Sequence, residues 1–358
     1  MRTAGSKYNQ ADAHEVRAGS KIFRTRIRRG REGKTELTLA LAPAGRSSEL
    51  KDIPCPVCES PRYRVLYPST LGDDLPVFGY DFSPAHSRTY RVVACEDCSH
   101  GYCSPRALDL FAAYEDVEDA SYLENRDQRL ATSRLAIAKI RESFDRGRLL
   151  DIGCSTGDFL SVAREHYDVE GLELSRWAVD LARAKGLKVH SCRLSGIEES
   201  ERFDIITLWG VIEHFDEPRL EVAQMHRLLK PGGAVFLWTG DIQSSTARVF
   251  GKRWWWYQGQ HIQVFSERSL VRLFEDHGFE RIWIGRYPYV MVLKSVAKSM
   301  MRYPIAGRIM RWLVDALRLQ GVSVTFRLPG EMFAVFRKKR GDPARHDVTT
   351  NPAQAVPR

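Results

Sequence analysis

Four cysteines fall in two pairs, Cys55-Pro-Val-Cys58 and Cys95-Glu-Asp-Cys98, with 36 residues between Cys58 and Cys95. A CxxC turn presents two thiolates on one side of a tight loop, and two such turns close a tetrahedral zinc site with no open position. The chemistry this spacing supports is therefore architectural. Two reduced, unliganded pairs are the alternative. A redox role fits less well, because neither pair opens a helix in a strand–helix–strand unit. Cys103 and His100 follow closely and could stand in for one ligand, at poorer spacing.

A second constellation runs from Arg148 to Leu160, RLLDIGCSTGDFL. An apolar strand ends in Asp151, and Gly153, Ser155 and Gly157 space out a turn before an amphipathic stretch. Glycines there let the backbone approach a ligand, and the helix behind offers unpaired N–H groups. Glu173, 22 residues past Asp151, ends a second apolar run, VEGLELS. In a doubly wound fold an acid at that place takes two ribose hydroxyls. A pyrophosphate would suit the glycine turn, but Asp151 would repel it. The ammonium of an aminoacyl tail would instead find a partner. An adenosine head with a positive tail points to S-adenosylmethionine.

These loops need a scaffold. From residue 148 onward short apolar strands alternate with amphipathic helices, which predicts a parallel sheet covered on both faces. Strands are expected at 148–152, 168–173, 187–190, 203–209, 233–239 and 331–337, and helices at 157–167, 176–185, 218–230 and 267–277. Between the cysteine pairs, YRVLYPST and RTYRVVAC alternate as a ribbon would.

From about 52 to 285 the chain resembles the class I S-adenosylmethionine-dependent methyltransferases. More narrowly, it is similar to a bacterial group with an N-terminal, cysteine-ligated zinc module, often associated with sugar, polysaccharide or secondary-metabolite methylation. The resemblance is carried by CPVC and CEDC, LLDIGCSTGDFL, VEGLELS, FDIITLWGVIEHFDEP, RLLKPGGAVFLWT, and QHIQVFSERSL followed by Gly278-Phe279. It implies an α/β fold: a doubly wound, mostly parallel seven-stranded sheet, its last strand antiparallel, with a small zinc-ribbon-like module. It carries Asp151, Gly153, Gly157 and Glu173 over as cofactor contacts, with Ser155 where the family usually has glycine. It sets Trp209-Gly210 where the methionine part rests, and puts Tyr114 and Tyr122 in a lid over the cofactor.

The sulfonium is a good leaving group, so such an enzyme mainly positions an acceptor in line with the methyl and removes a proton. Glu213-His214 follows the fourth strand, at the sheet edge where open α/β folds bind ligands. His214 is a candidate base oriented by Glu213, or a structural residue under the cofactor. His261 is the second candidate, in GKRWWWYQGQHIQVFS, where Trp254–Tyr257 suit stacking against a sugar or aromatic acceptor. An aromatic core is the other reading of that run. Ubiquinone-type O-methyltransferases and small-RNA methyltransferases resemble the Glu213 loop and use an extra carboxylate, three residues earlier, to hold a divalent metal. Gly210 stands there, which argues against a catalytic metal. The leading reading is methylation of a hydroxyl, less readily a carbon, of a carbohydrate, lipid-linked saccharide or secondary metabolite. The alternative is a catalytically impaired, zinc-containing binding protein on the same fold, favoured by Ser155 and Gly210. Asp151 argues against a nicotinamide-dependent oxidoreductase.

The 358 residues, 43% of them hydrophobic, can bury one large core and a small satellite. The net charge of +9 is uneven: residues 1–51 carry 12 Lys/Arg against 5 Asp/Glu, and 52–285 carry 28 against 36. Nucleic-acid binding needs a basic stripe on the folded part, so no nucleic-acid partner is expected. No apolar run reaches 18 residues and no secretory h-region follows Met1. Paired cysteines without an export signal then suit a reducing cytoplasm. The expected order is a disordered basic segment over 1–50, the zinc module over 51–106, and a helical linker or lid over 107–147. The cofactor-binding domain follows over 148–290, then a basic helical insertion over 291–327, the last strand over 328–340 and a disordered tail over 341–358. Within the insertion, 291–320 spaces its apolar residues helically among Lys and Arg. A basic lid or dimer element over the acceptor pocket is the plainer reading. The other is an interfacial helix at an anionic membrane surface.

Overall fold

The computed structural model describes residues 50–340, except 72–73, 81–83, 302 and 328, and the backbone of 13–18, 21–29 and 35–41. The chain divides after Glu49 into two units. In the first, β1 (Ala13–Ala18), β2 (Lys21–Arg29) and β3 (Thr35–Leu41) pair antiparallel in sequence order. The expectation of disorder over 1–50 differs here. It passed over the period of two in Leu37, Leu39 and Leu41, which suits a strand. The expected disordered tail, 341–358, lies outside the described residues.

The second unit opens with the cysteine ribbon: β4 (Tyr63–Tyr67), β5 (Val92–Cys95) and β6 (Gly101–Cys103), paired antiparallel. Helix α1 (Arg126–Arg141) leads into the main domain. There follow β7 (Arg148–Ile152), α2 (Asp158–Ala163), β8 (Asp168–Leu172), α3 (Arg176–Ala184), β9 (Val189–His190), β10 (Phe203–Trp209), α4 (Pro218–Leu228), β11 (Leu229–Gly240) and α5 (Ser245–Phe250). Then come β12 (Gln263–Val264), α6 (Glu267–Glu275), β13 (Phe279–Gly285), β14 (Tyr289–Val292), α7 (Leu293–Met300), α8 (Pro304–Ala316), β15 (Ser323–Phe326) and β16 (Glu331–Lys338).

Seven strands form one sheet in the order β13-β16-β11-β10-β7-β8-β9. Strand β16 runs antiparallel to both its neighbours, and the pairs among β11, β10, β7, β8 and β9 are parallel. This is the doubly wound sheet with an antiparallel last strand that the sequence predicts. Successive residues of each strand enter opposite faces. Leu150, Ile206, Leu208, Val235 and Leu237 pack with α4 and α6, while Leu149, Ile205 and Phe236 pack with α1, α2 and α3. Ser175 caps α3 by accepting from the Ala178 N–H, Ser266 and Ser269 form a reciprocal cap on α6, and Pro218 sits in the first turn of α4.

Two features differ from the sequence reading. Strand β13 was not expected, because only its first residue is buried and an edge strand of that kind gives no apolar run. The insertion is helical only in part: β14 and β15 pair antiparallel and bracket α7 and α8.

Candidate active site and cysteine cluster

The four paired cysteines meet: one sulfur of each lies within 4.8 Å of all the others. The Cys55–Cys98 and Cys58–Cys95 sulfurs are each 3.5 Å apart. A tetrahedron with zinc–sulfur bonds of about 2.3 Å has edges of about 3.8 Å, so the donor set fits. The two turns are built alike. The Cys55 N–H donates to the Ser60 carbonyl and the Cys95 N–H to His100, while Glu59 and Ser99 donate back to Cys55 and Cys95. Glu59 and Ser99, each just after its pair, have φ of 61° and 65°. The Cys55 hydrogen bond lowers the Cys98 thiol to about 6. Cys103 and His100 stand apart from it. Cys103 points at the His261 carbonyl, and His100 Nε2 contacts Gln263 Oε1 at 2.9 Å.

At the C-terminal edge of the sheet, Asp151 is buried beside Thr207, its partner in register, whose hydroxyl donates to Oδ1 at 2.6 Å. Burial pushes the Asp151 carboxyl up to about 8, against that bond and with the Glu173 charge adding to the rise. Nearby, the buried Thr156 Oγ1 and Trp209 Nε1 have no hydrogen-bond partner among the described residues. A little-solvated carboxylate with orphaned polar atoms around it fits a polar, cationic ligand.

The loop itself is left-handed at three alternate positions, with φ of 67° at Gly153, 48° at Ser155 and 77° at Gly157. Ser155, where the resemblance usually sets a glycine, is one of the three. The family's glycine suits a backbone conformation, which a serine can adopt at a cost of roughly 1–2 kcal/mol. Glu173 holds the strained turn: Oε2 accepts the Ser155 N–H at 2.8 Å, and Oε1 accepts those of Leu174 and Ser175. The carboxylate expected to face ribose hydroxyls is committed here to the loop backbone. Burial raises its pKa, against those three bonds.

Tyr122 stacks under the Arg129 guanidinium, 3.7 Å from the ring centre, and tilts against Tyr80 at 5.2 Å. Tyr80, a residue the sequence did not flag, also lies 6.3 Å from Trp177. The stretch before Tyr122 and the loop at Gly79 are each tied down by hydrogen bonds. Ser175 Oγ donates to the Val117 carbonyl, Arg176 N to Glu115, and the Gln260 side-chain amide brackets the backbone of Gly79 through 3.1 Å bonds in both directions.

Glu213, His214 and His261 come together, with ligand atoms within 4.8 Å of one another. The two candidate bases of the sequence, His214 and His261, have rings 4.8 Å apart, edge to face. His214 Nδ1 lies 2.9 Å from the Gln260 carbonyl and 2.7 Å from the Tyr114 hydroxyl, and His261 Nδ1 lies 2.8 Å from the Trp256 carbonyl. A carbonyl only accepts, so His261 Nδ1 carries the proton and its Nε2 keeps a lone pair, while the Gln260 carbonyl and the Tyr114 hydroxyl share His214 Nδ1. Burial lowers His214 to about 4 and His261 well below its usual value, which keeps both neutral. Glu213 accepts from Thr239 Oγ1 at 3.1 Å, and burial pushes it up to about 8. The cluster is therefore two proton acceptors and a carboxyl of shifted affinity, a set that accepts a proton or holds a divalent cation.

The tryptophan run is corrected too. Trp254, Trp256 and Tyr257 are core residues, packed with Tyr90, Ile262 and Val264. Only Trp255 is partly exposed, and its indole donates to Glu331 Oε1 at 3.0 Å. Trp238 donates to the other oxygen, also at 3.0 Å, and burial raises this carboxyl to about 7. Glu331 pairs with Gly240 at the same sheet edge. Sequence reading missed it because one acid opening a strand carries no pattern.

The ribbon and the site share a sheet. Strand β12, two residues past His261, adds to β6, giving the order β12-β6-β5-β4.

Residues 122–282 match the family model described as a methyltransferase domain. The chain is 32% identical over 142 residues to a ubiquinone biosynthesis O-methyltransferase of Xanthomonas oryzae pv. oryzae, covering 37% of this chain and 59% of that protein. It is 33% identical over 108 residues to the protein of the same name from Erwinia tasmaniensis, covering 28% and 44%. The chain thus spans about half the length of these curated relatives. Among solved structures, an S-adenosylmethionine-dependent methyltransferase of Thermotoga maritima aligns with a TM-score of 0.42 at 18% identity, over 62% of this chain and 97% of that one. The phosphoethanolamine N-methyltransferase 2 of Haemonchus contortus aligns with a TM-score of 0.38 at 17% identity, over 57% and 52%. The matched region is a methyltransferase domain.

Proposed function

We propose that the chain transfers a methyl group from S-adenosylmethionine to a hydroxyl oxygen, with zinc in the cysteine cluster as a structural element. The acceptor class is a carbohydrate, a lipid-linked saccharide or a secondary metabolite. One observation carries the reading: two buried neutral histidines, their rings 4.8 Å apart, lie with Glu213 just past β10, the strand that pairs with the one bearing Asp151. When bound, the cofactor supplies an activated methyl group. Asp151 would take its ammonium, the 153–157 turn would approach it closely, and Trp209 would line its methionine end. His214 or His261 would take the acceptor's proton. The sugar reading now rests on the resemblance alone, since the Trp254–Tyr257 platform is core. The names of the curated relatives favour a hydroxyl on a ring compound. The impaired-binder reading loses its argument from Ser155, because the turn is held in shape.

A second reading has its own observation. Both Nδ1 atoms are tied to backbone carbonyls, as in histidines oriented toward a metal, and Glu213 completes a two-histidine, one-carboxylate set. A divalent cation there would act as a Lewis acid on the acceptor hydroxyl. Methyl transfer from labelled S-adenosylmethionine, over a panel of hydroxylated acceptors, tests both. His214→Ala or His261→Ala should lower turnover by roughly 10²–10⁴-fold with cofactor affinity unchanged. Loss of turnover on chelation at unchanged zinc content, restored by an added divalent cation, is expected only under the metal reading. Full turnover in both histidine variants would remove proton abstraction from this cluster.

A further inference from the structure

Helix α8 buries one side and leaves the other bare. Its inner side carries Gly307, Met310 and Val314, at spacings of three and four. Gly307 lies so close to α7 that an added Cβ would stand 2.5 Å from the Met300 carbonyl, so the two helices are tightly seated. The outer side carries Ile305, Ile309, Trp312 and Leu313, which recur at i, i+4, i+7 and i+8 and so form one stripe. Their exposure is 80% for Ile305, 54% for Ile309 and 67% for Trp312. Leu317, just past the helix, is 62% exposed. The stripe continues onto α5: the Phe250 ring lies 4.8 Å from Tyr303, and Val249 beside it is 79% exposed. A contiguous patch of large apolar side chains is uncommon on a monomer and marks an interaction surface.

Charge selects the occupant. Residues 286–327 carry eight Lys/Arg and one Asp/Glu. Arg308, Arg311 and Arg318 flank the stripe, and Lys252, Lys294 and Lys298 are exposed on the adjoining elements. Against a second copy of the same face, these charges would repel. Against a bilayer with anionic headgroups, they would be complemented while the apolar stripe enters the headgroup–acyl boundary. Trp312 in the stripe suits that boundary, where aromatic rings concentrate. No described helix is long and apolar enough to cross a membrane, so the contact is with its surface. We propose that the α8 stripe, with the tip of α5, docks this protein on an anionic lipid surface, with α8 lying in the interfacial plane. The proposal is independent of the methyltransferase reading.

The test is sedimentation of the full chain with phosphatidylcholine vesicles, with and without roughly a third phosphatidylglycerol. Binding should appear with the anionic vesicles and weaken as salt rises. Arg308→Gln with Arg311→Gln should weaken it on the order of fivefold per charge removed. Ile309→Glu with Trp312→Glu, both at exposed positions, should abolish it. Protection against heat by S-adenosylhomocysteine, kept in every variant, excludes unfolding as the cause. If no protection appears even in the parent, the cofactor reading fails and the lipid result stands separately, with circular dichroism reporting the fold. Equal binding to both vesicle types, or none to either, overturns the proposal. A dimer that the stripe variants convert to monomer, with no lipid effect, also overturns it and assigns the face to a second copy.

Discussion

The state of Asp151 should make cofactor binding depend on pH in a way that a surface carboxylate would not. With no cation beside it, burial holds the Asp151 carboxyl near 8, so at pH 7 it is about nine-tenths protonated. Pairing with an ammonium requires the carboxylate, so binding must release a proton. Each pH unit below the free-state value then costs about 1.4 kcal/mol, or tenfold in affinity. The dissociation constant for S-adenosylhomocysteine should fall about tenfold from pH 6 to pH 7 and level off above 8. Asp151→Asn should remove that slope. It should also weaken binding at pH 8 by about 3–5 kcal/mol, the scale of losing one partner of a buried pair.

Calorimetry in buffers of different ionisation enthalpy measures both quantities, because a released proton shows as a buffer-dependent heat. Glu173 and Glu213 also have raised values, and the asparagine variant isolates Asp151 from them. An affinity that is flat between pH 6 and 8 in the parent, with no buffer-dependent heat, would refute the assignment. So would a slope that survives Asp151→Asn.

Two further outcomes follow from the site's surroundings. Trp256 is buried against Trp238, Trp254 and His261, so Trp256→Ala should destabilise the protein by about 3–5 kcal/mol in denaturant unfolding; a stable variant with only a raised acceptor Michaelis constant would return the residue to the acceptor pocket. One zinc per chain should appear in metal analysis, and Cys55→Ser should lower both zinc content and soluble yield, because binding energy at such a site is folding energy; a fully stable, zinc-free parent would sink the structural-zinc reading.

The sheet and the cysteine cluster were legible in the sequence because each rests on a local period. Alternating apolar runs gave β7, β10 and β11, and CxxC spacing gave two turns that face each other. What was not legible depends on residues distant in sequence. Glu331 acquires meaning only because Trp238 and Trp255 converge on it from separate elements. The tryptophan run looked like a platform because a single loop rarely buries three of four successive large aromatics. They are buried because the ribbon supplies a second core, with Tyr90, Val92 and Cys103 on one side and Ile262 and Val264 on the other.

The same long-range pairing brings the two histidines together. In the sequence, His261 stands in GKRWWWYQGQHIQVFS with no local pattern that ties it to Glu213-His214. In the fold that loop is short of freedom at both ends. Trp256 fixes the His261 ring through its carbonyl, and two residues later Gln263 pairs with Tyr102 on β6. Strand β6 in turn pairs with β5, whose last residue is Cys95. The path from a cysteine of the cluster to the His261 ring therefore runs through two sheet pairings and one short loop. A two-residue strand such as β12 has no sequence signature, so this link could not be read in advance. The cysteine ribbon thereby acquires a definite structural role, because the geometry that sets His261 against His214 is held from the ribbon side.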